Sequence, residues 1–380
     1  MTAYICGVAL SAFGRQPGRD TVGWQELAAE AAMADAGLEP DEVDGLLVGY
    51  STTAGHLMPA NVLAERLGVK PGVASGMSAG GATTLAMLAH AVALVASGSA
   101  SKVVVVAGED RASGQSRETS TRVLAQVGHE RLEVSLGGTV PAYYALLASR
   151  YLWQRGLDER ALASLPVQMR AHAARKPGAH YQTAITVDDV MASRPVSEPL
   201  KLLDCCPVSD GSAALVVSAA TSSDRAVEIL GIGQANEHQH LCALDPQATG
   251  AALAAKRAFA GTGLTLADMD VYGIYDSFSI TVAMILEEIG LAPTGKAGAW
   301  AAAGAYELDG RFPLNTHGGL LSYGHCGVAG GMAHVVEVVT QLRRERGSGQ
   351  VQNCDRGYVH ADGGILSAHA GVVLGRGRTA

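Results

Sequence analysis

The residues best suited to chemistry are concentrated in one glycine-rich segment, 315–331, which reads NTHGGLLSYGHCGVAGG. Glycine allows a backbone to approach a ligand closely, and a helix that begins beyond Gly327 would offer free N–H groups to developing negative charge. His325 would lie at this helix start, and Tyr323 precedes it by two residues. Because imidazole and phenol groups both exchange protons, these two residues are candidates for acid–base catalysis.

The segment 76–80, GMSAG, carries the G-x-S-x-G pattern of serine hydrolases directly before a predicted helix. A hydrolase of that kind also needs an oxyanion loop earlier in the chain, whereas the HGG triplet at 317–319 lies far downstream. Serine hydrolase chemistry is therefore a minor alternative, and capping of the helix is the simplest role for Ser78.

Two cysteine-bearing groups have simpler explanations than redox or metal chemistry. Cys205 and Cys206 are adjacent and cannot easily form a structural disulfide, so we expect them to pack in the core. His238, His240 and Cys242 alternate and would share one face of a strand. Because no fourth ligand accompanies them, we expect no metal site.

The elements that must position the chemical residues occur twice along the chain. The segments 26–51 and 250–277 share one pattern: a helix of small residues, a glycine, a short turn with an acidic residue and an apolar strand. Two pairs of residues match at the same offset of 226, Gly37 with Gly263 and Asp44 with Asp270. In both copies a glycine-rich loop then opens a long helix, and a strand follows. We therefore predict two duplicated halves.

The alternation of helices with valine-rich strands predicts an α/β fold with parallel-type sheets covered by helices. Two such halves would stack into a five-layer α/β/α/β/α body. We expect residues 1–110 and 204–222 to form the first half and residues 223–380 the second. Residues 111–203 are rich in Arg, His, Tyr and Pro, and they are predicted to form a loop domain over the active site.

The composition argues against several classes of function. A net charge of −8 offers no basic surface for nucleic acid. We expect no membrane helix, because glycine, serine and charged residues interrupt every apolar run before it reaches roughly 18 residues. The chain starts without the basic and apolar regions of a secretion signal, so its six cysteines are expected to be reduced in the cytoplasm.

The whole pattern resembles the thiolase superfamily, in particular its sterol-carrier-protein-type and thiolase-like lipid-transfer branch. The resemblance rests on the duplicated halves, the insertion, the 315–331 block, the segment 204–214 (DCCPVSDGSAA) and the motif 360–364 (HADGG), and it covers nearly the whole chain. It implies a homodimer that binds a coenzyme A thioester with the reactive end between the two halves. Coenzyme A would then be part of the substrate, and no bound cofactor is expected.

Two of the family's catalytic positions have lost their cysteine. The nucleophilic cysteine that opens the first central helix of thiolases is matched by Ser78, an alcohol that titrates far above a thiol. The second family cysteine, in the C-terminal C-x-G-G turn, aligns with His360. By the same resemblance, the backbone N–H groups of Ser78 and Asp362 occupy the positions of the family's second oxyanion hole.

Two other catalytic positions keep groups that exchange protons. The glycine-flanked histidine of the family is matched by His325, with Cys326 in place of a proline. The family motif N-E-A-F or H-D-C-F, whose first residue helps to polarise the thioester carbonyl, begins here with Tyr275. The resemblance therefore implies proton transfer in place of covalent catalysis, with candidate groups on Tyr275, Tyr323, His325 and His360.

This pattern is similar to that of thiolase-like aldolases of steroid side-chain degradation, which lack the nucleophilic cysteine and carry tyrosines in the pocket. It implies retro-aldol cleavage of a 3-hydroxyacyl-CoA to a ketone or aldehyde and a shorter acyl-CoA. It also implies a small DUF35-type partner chain with a zinc ribbon and an OB-fold. Two alternatives stay open: a thiolase-type acyltransferase that uses Ser78 or Cys326, and a non-catalytic acyl-CoA-binding subunit.

Overall fold

The computed structural model describes residues 2–219, 223–245 and 248–377, so the predicted boundary at residue 222 lies outside the described residues. Strands and helices alternate in the first part of the chain: β1 (Tyr4–Leu10), α1 (Thr21–Ala36), β2 (Gly45–Gly49), α2 (Pro59–Leu67), β3 (Val73–Met77), α3 (Thr83–Ser97) and β4 (Lys102–Glu109). A mainly helical insertion and the strand after it comprise α4 (Arg117–Leu124), α5 (Val140–Arg155), α6 (Arg160–Ala173), α7 (Val187–Ala192), β5 (Pro195–Ser197), β6 (Leu200–Lys201) and β7 (Gly211–Ser218). The second part contains β8 (Val227–Asn236), α8 (Ala251–Phe259), β9 (Val271–Ile274), α9 (Ser279–Glu288), α10 (Ala297–Ala302), α11 (Gly319–Ser322), α12 (Gly327–Leu342), β10 (Arg356–Gly363) and β11 (Ala368–Arg376).

Among the described residues, nine strands form one sheet in the order β3-β2-β4-β7-β1-β8-β11-β10-β9. β1 and β8 pair antiparallel and join the two half-sheets. β2 runs parallel to β3 and β4, and β9 runs parallel to β10. The strand that closes each half, β7 or β11, is antiparallel to both of its neighbours. The expectation of parallel-type sheets is therefore wrong for these closing strands; β11 follows β10 through a tight turn, which can only give an antiparallel pair.

Two helices form the central layer. α3 and α12 pack against each other, and each contacts strands of both half-sheets. On the outer faces, α1 packs on β1, β4 and β7, while α8 packs on β8 and β11. The predicted α/β fold with two duplicated halves and an α/β/α/β/α arrangement is therefore confirmed.

A pair of aspartates shows the duplication at the atomic level. Asp44 accepts a hydrogen bond from the backbone N–H of Lys102 at 2.7 Å, where β4 begins. Asp270 accepts one from the backbone N–H of Arg356 at 2.9 Å, where β10 begins. Each aspartate thus satisfies the first donor of the strand that follows a central helix.

The described part of the second half contains no full counterpart of the edge strand β3. A single parallel bridge between Leu314 and Tyr272 occupies that place, beside Pro313. Because proline has no N–H group, it cannot extend the ladder. The next residue after the bridge, Asn315, hydrogen-bonds both the N–H and the carbonyl oxygen of Ile274 at 2.8 Å, which fixes the end of β9.

One described segment, Gly80–Ser97, is long and apolar enough to cross a membrane by length and composition alone. The expectation that no apolar run reaches this length is therefore wrong. In the structure this segment contains α3, and Leu85, Met87 and Leu88 are fully buried in the central core. Packing in the middle of the protein accounts for its apolar composition.

Candidate active site

A cavity of about 220 Å³ lies where strands of both halves end near the start of α12. Tyr50 follows β2, Arg111 lies just beyond β4, and Tyr275 follows β9. In open α/β sheets ligands bind at the carboxyl ends of the strands, and all three residues lie at such ends. The insertion covers the cavity with six further lining residues: Leu124, Val127, Val140, Pro141, Tyr144 and Val196.

Three side chains form a hydrogen-bonded chain along one wall. The hydroxyl of Tyr275 lies 3.0 Å from Nε2 of His325, and Nδ1 of the same ring lies 3.1 Å from Nη1 of Arg111. A guanidinium can only donate, so Nδ1 accepts and the network assigns the ring proton to Nε2. Nε2–H then donates to the Tyr275 oxygen. Among the described residues the Tyr275 hydroxyl has no other partner, so its own proton is free to point into the cavity.

The D-C-C-P-V-S-D segment that precedes β7 positions two members of this chain. The carbonyl oxygen of Pro207 accepts the backbone N–H of His325 at 2.9 Å. The buried carboxylate of Asp210 accepts the N–H of Ala112 at 2.6 Å, directly after Arg111. The segment therefore holds the loop after β4 and the loop before α12 in one arrangement.

Burial and charge keep both rings of the chain neutral. Burial, together with the adjacent guanidinium of Arg111, lowers the pKa of His325 to about 3. Burial, and after it the charge of Asp362, raises the pKa of Tyr275 well above its usual value of 10. At neutral pH the site therefore presents a phenol that donates a hydrogen bond, not a phenolate base.

Asp362, on β10, is one of the residues that line the cavity. The N–H of Asp362 points to the same side of β10 as the carbonyl oxygen of His360, which accepts the N–H of Tyr275 at 3.0 Å. Because β9 ends before this level, the N–H of Asp362 does not pair with β9. Oδ2 of the buried side chain accepts the hydroxyl of Tyr144 at 3.0 Å. Oδ1 has no hydrogen-bond partner in the described part of the chain.

Gly81 allows these groups to converge. A methyl group at Gly81 would lie 2.3 Å from the hydroxyl oxygen of Tyr275 and 2.2 Å from the carbonyl oxygen of Asp362. Both distances are far below van der Waals contact. Only glycine therefore lets the turn before α3 approach Tyr275 and Asp362 this closely.

Comparison with known families agrees with this architecture. The thiolase N-terminal domain family matches residues 4–221, and the thiolase C-terminal domain-like family matches residues 233–376. The chain belongs to the thiolase superfamily. The two matches together account for both halves of this thiolase-fold protein and for its insertion.

Relatives within the thiolase superfamily include both lyases and acyltransferases. The chain is 34% identical to the 17-hydroxy-3-oxo-4-pregnene-20-carboxyl-CoA lyase of Mycobacterium tuberculosis, over 90% of this chain and 91% of that protein. It is 30% identical to the acetyl-CoA acetyltransferase of Methanothermobacter thermautotrophicus, over 95% of this chain and 96% of that protein. Among solved structures, the Ltp2–ChsH2(DUF35) aldolase matches with a TM-score of 0.84 and 30% identity, covering 100% of this chain and 98% of that one.

The structure brings Tyr275 and His325 together in the cavity, as well as the backbone of Asp362. Ser78, which we predicted to match the thiolase nucleophile, is exposed and does not line the cavity. The turn just after it, at Gly80 and Gly81, lines the cavity instead. This wall is therefore formed by backbone and not by the serine hydroxyl.

Tyr323 and His360 are buried in the core and do not line the cavity. The Tyr323 hydroxyl donates to the carbonyl oxygen of Ser11 at 2.8 Å. Nδ1 of His360 lies 2.9 Å from the Tyr358 hydroxyl, and its Nε2 lies 3.1 Å from Nδ1 of His369. Because the polar atoms of Tyr323 and His360 already have internal partners, the geometry gives both side chains structural roles.

The thiols near the site are not activated. Cys205 and Cys206 are half-buried and pack against the core of the second half, as expected, and they also line the cavity. Burial raises the pKa of both, that of Cys206 to about 12. Cys326 is fully buried, and its thiol donates to the carbonyl oxygens of Glu109 (3.2 Å) and Gly211 (2.9 Å). Since the thiolate is the nucleophilic form, these environments oppose covalent catalysis.

The predicted alternation at 238–242 does not assemble a metal site. In the described residues no group of three or more His, Cys, Asp or Glu side chains is placed to hold a metal ion. Nε2 of His238 lies 3.2 Å from the carbonyl oxygen of Ile365, and Nδ1 of His240 lies 3.4 Å from that of Val127.

Sequence reasoning missed Arg111, the Asp362 carboxyl and Tyr144. Arg111 had a usable signal, because it directly follows a valine-rich strand, where α/β proteins gather functional residues. Tyr144 had none, since it is one tyrosine among several on an insertion helix and meets Asp362 only through the tertiary fold.

Proposed function

We propose that this thiolase-superfamily protein is a coenzyme A-dependent carbon–carbon lyase. It cleaves a 3-hydroxyacyl-CoA by a retro-aldol reaction into a ketone or aldehyde and a shorter acyl-CoA. The observation that carries the proposal is the hydrogen-bonded chain of Arg111, His325 and Tyr275, which directs a fixed donor into the cavity. A retro-aldol reaction needs donors that stabilise an enolate, whereas acyl transfer needs an activated nucleophile.

Tyr275 and the N–H of Asp362 are the donors that we assign to the thioester oxygen. When the C2–C3 bond breaks, its electrons pass into an enolate and this oxygen gains negative charge. Tyr275 keeps its proton because its pKa is raised, so it stabilises the enolate by hydrogen bonding. The guanidinium of Arg111 polarises the His325 ring, and the Nε2–H of that ring strengthens Tyr275 as a donor.

The rest of the cavity is suited to an apolar acyl group. Its apolar lining comes from the insertion and from both halves: Leu124, Val127, Val140, Val196, Val208 and Phe278. The Mycobacterium tuberculosis relative is named for a pregnene-carboxyl-CoA, which is a steroid thioester. We therefore propose a thioester with a steroid side chain as the substrate class.

We also propose a homodimer formed through β3. In the described sheet β3 is an edge strand that pairs with β2 on one side, and its five residues carry no charge. Leu57 and Met58 directly precede α2 and are 100% and 61% exposed; Pro59, the next residue, packs against Gly76 of β3. A second copy would pair with the edge and cover these side chains.

A DUF35-type chain is the partner that we propose for activity. The support is the solved Ltp2–ChsH2(DUF35) aldolase, of which this chain resembles one chain over its full length. Assays of the lyase should therefore be made with and without such a chain.

An acyltransferase is the alternative, favoured by the name of the Methanothermobacter relative. Three variants separate the two functions when they are assayed on 3-hydroxyacyl-CoA and 3-oxoacyl-CoA thioesters. For a lyase, Tyr275→Phe lowers kcat/KM roughly 10²- to 10³-fold, the usual effect of losing one oxyanion donor, and Ser78→Ala retains activity. Tyr323→Phe is the matched control and is expected to retain activity, since that hydroxyl bonds Ser11.

The reverse pattern, in which Ser78→Ala abolishes turnover and Tyr275→Phe does not, would replace the lyase with an acyltransferase. Tight acyl-CoA binding without turnover by the wild-type protein and its partner would instead identify a non-catalytic binding subunit.

A further inference from the structure

Asp362 is the one Asp or Glu among the described residues that line the cavity. The residue is 1% exposed, and Oδ2 accepts the Tyr144 hydroxyl at 3.0 Å. Oδ1 has no partner among the described residues. A buried carboxyl oxygen without a hydrogen bond is costly, so Oδ1 marks a position where the hydroxyl of a ligand would bind.

The elements around Asp362 determine its protonation. α5 contributes the hydroxyl of Tyr144, and the segment after β9 contributes Tyr275. Gly363 at the end of β10 and Leu366 in the turn after it place backbone N–H groups near the carboxyl. Burial is the largest effect and raises the pKa of Asp362 well above its usual 3.8, while the Tyr144 hydroxyl and the nearby N–H groups lower it. A carboxylate with a raised pKa is a stronger base than an exposed one.

The other titratable groups that line the cavity are poor bases at neutral pH, since burial raises the pKa of Tyr50 and of Cys205 and keeps both protonated. Both ring nitrogens of His325 have partners, and burial with Arg111 lowers its pKa to about 3. Tyr275 is neutral and donates, and burial raises the pKa of Cys206 to about 12. Asp362 combines a free acceptor atom with a position in the cavity wall.

We propose that the carboxylate of Asp362 is the acid–base group of the reaction and that Tyr144 is its positioning residue. This inference rests on the retro-aldol function proposed above. Oδ1 takes the proton of the 3-hydroxyl, the O–H electrons form the new C=O bond, and the C2–C3 electrons pass to the thioester as an enolate. The protonated carboxyl then returns the proton to C2, which yields the shorter acyl-CoA and restores the carboxylate.

The test uses two assays: cleavage of a 3-hydroxyacyl-CoA, and exchange of the C2 hydrogen of the shorter acyl-CoA with D2O. Exchange reports the proton transfer at C2 without requiring the carbon–carbon bond to break. Asp362→Asn is expected to lower both rates roughly 10²- to 10⁴-fold with an unchanged Kd for acyl-CoA. Asp270→Asn is the matched control and is expected to retain both rates, because Asp270 precedes β9 and its carboxylate accepts the N–H of Arg356 at the opposite end of β10.

The pH profile of the Tyr144→Phe variant provides a further test, because a purely structural role of Tyr144 would leave that profile unchanged. Removing the hydroxyl takes away a donor that stabilises the carboxylate, so the pKa of Asp362 rises further. Because the base form is the deprotonated one, the ascending limb of the pH profile of kcat/KM is expected to move to higher pH.

The outcomes separate the inference from the proposed function. Cleavage and exchange at wild-type rates by Asp362→Asn would overturn the inference and leave the lyase intact. If the wild-type protein cleaves no thioester, the lyase fails; exchange that depends on Asp362 would still support the acid–base role, and no exchange would overturn it. Should Asp362→Asn not fold, an unshifted limb in Tyr144→Phe overturns the inference.

Discussion

At the scale of the residue, the chemistry of Tyr275 depends on which nitrogen of its neighbour carries a proton. Arg111 decides this, because its guanidinium can only donate to Nδ1 of His325 and so leaves the proton on Nε2. The same cation opposes a second proton on the ring. Tyr275 therefore receives one hydrogen bond and keeps its own proton for a ligand.

The Arg111→Met variant is expected to lose the guanidinium that fixes the ring proton of His325 on Nε2. The pKa of His325 should rise from about 3 toward its usual value of 6.5, although burial continues to hold it down. We expect kcat/KM to fall roughly tenfold or more, since a hydrogen bond to a charged group contributes on the order of 1.5 kcal/mol. An NMR titration of the imidazole measures the shift. An unchanged titration with unchanged kcat/KM would show that Arg111 does not control the ring.

The site residues that sequence reasoning finds are those that stand in local motifs. Tyr275 begins a short motif after a strand, and His325 lies between glycines before a helix. The roles of Arg111 and of the Asp362 carboxyl depend on contacts between β4, α12, β10 and α5, which no local pattern predicts. Tyr323 also stands in a local motif and was therefore predicted to be catalytic. In the structure its hydroxyl instead donates to the carbonyl oxygen of Ser11.

At the scale of the element, the turn before α3 must come close to the ends of β9 and β10. Gly81→Ala is expected to push Tyr275 away from His325 and to lower kcat/KM at least roughly tenfold, with a loss of about 1–3 kcal/mol in stability from overpacking. Gly14→Ala is the matched control, because a methyl group there meets no atom within 4 Å. Steady-state kinetics and urea unfolding of both variants test this. Equal activity of the two variants would contradict the close approach.

The helix α12, which carries His325 just before its first turn, is anchored by a buried ion-pair network. Glu337 accepts hydrogen bonds from Lys176 at 3.1 Å and from Arg346 at 2.6 Å. Burial alone would raise the pKa of Glu337, but the two cations outweigh it and lower the pKa to about 2. Lys176 follows α6, so the network also ties the insertion to α12.

This network predicts a loss of stability in acid. The folded pKa of Glu337 lies below its unfolded value of 4.5, so the stabilisation is complete above pH 4.5 and is lost as the pH falls to about 2. The difference corresponds to roughly 3 kcal/mol. Glu337→Gln should lose about 3–5 kcal/mol at neutral pH, because Arg346 is left buried and unpaired, and should lose less on acidification. Urea unfolding between pH 2 and 7 measures both; parallel curves for the two proteins would refute the role of Glu337.

Element order is predicted well by the sequence and strand direction less well. The repeated helix–turn–strand pattern identifies α1 with β2 and α8 with β9, since hydrophobic periodicity and glycines mark each boundary. The direction of β7 is set by where the insertion returns the chain, which lies outside any local pattern. The bridge at Leu314 is likewise visible only in the folded sheet.

At the scale of the whole molecule, the unpaired edge of β3 predicts a dimer. The N–H groups of Val73 and Tyr50 bond across β2 and β3, and the alternation of the strand then directs the N–H of Ala74 outward. Ala74→Pro removes only an outward donor, so it should convert a dimer of the 39.0 kDa chain to a monomer that keeps its fold. Light scattering after gel filtration measures the mass. A wild-type protein that is monomeric at micromolar concentration would exclude this interface.

The duplicated architecture explains why the site lies between the strand ends of the two halves. The strand ends of the first half supply Tyr50 and Arg111, and those of the second supply Tyr275 and Asp362. Each half alone carries only part of the hydrogen-bonded chain. The lyase therefore depends on the two halves meeting across α3 and α12.

The proposed lyase function is tested most directly by incubating the purified protein with 3-hydroxyacyl-CoA and 3-oxoacyl-CoA thioesters, with and without a DUF35-type partner. The products are identified by mass spectrometry. We predict a ketone or aldehyde and a shorter acyl-CoA from a 3-hydroxyacyl-CoA, formed without added free coenzyme A and with no acyl group on the protein. Cleavage of a 3-oxoacyl-CoA that requires free coenzyme A and leaves an acyl mass on the protein would contradict the lyase and establish covalent acyl transfer.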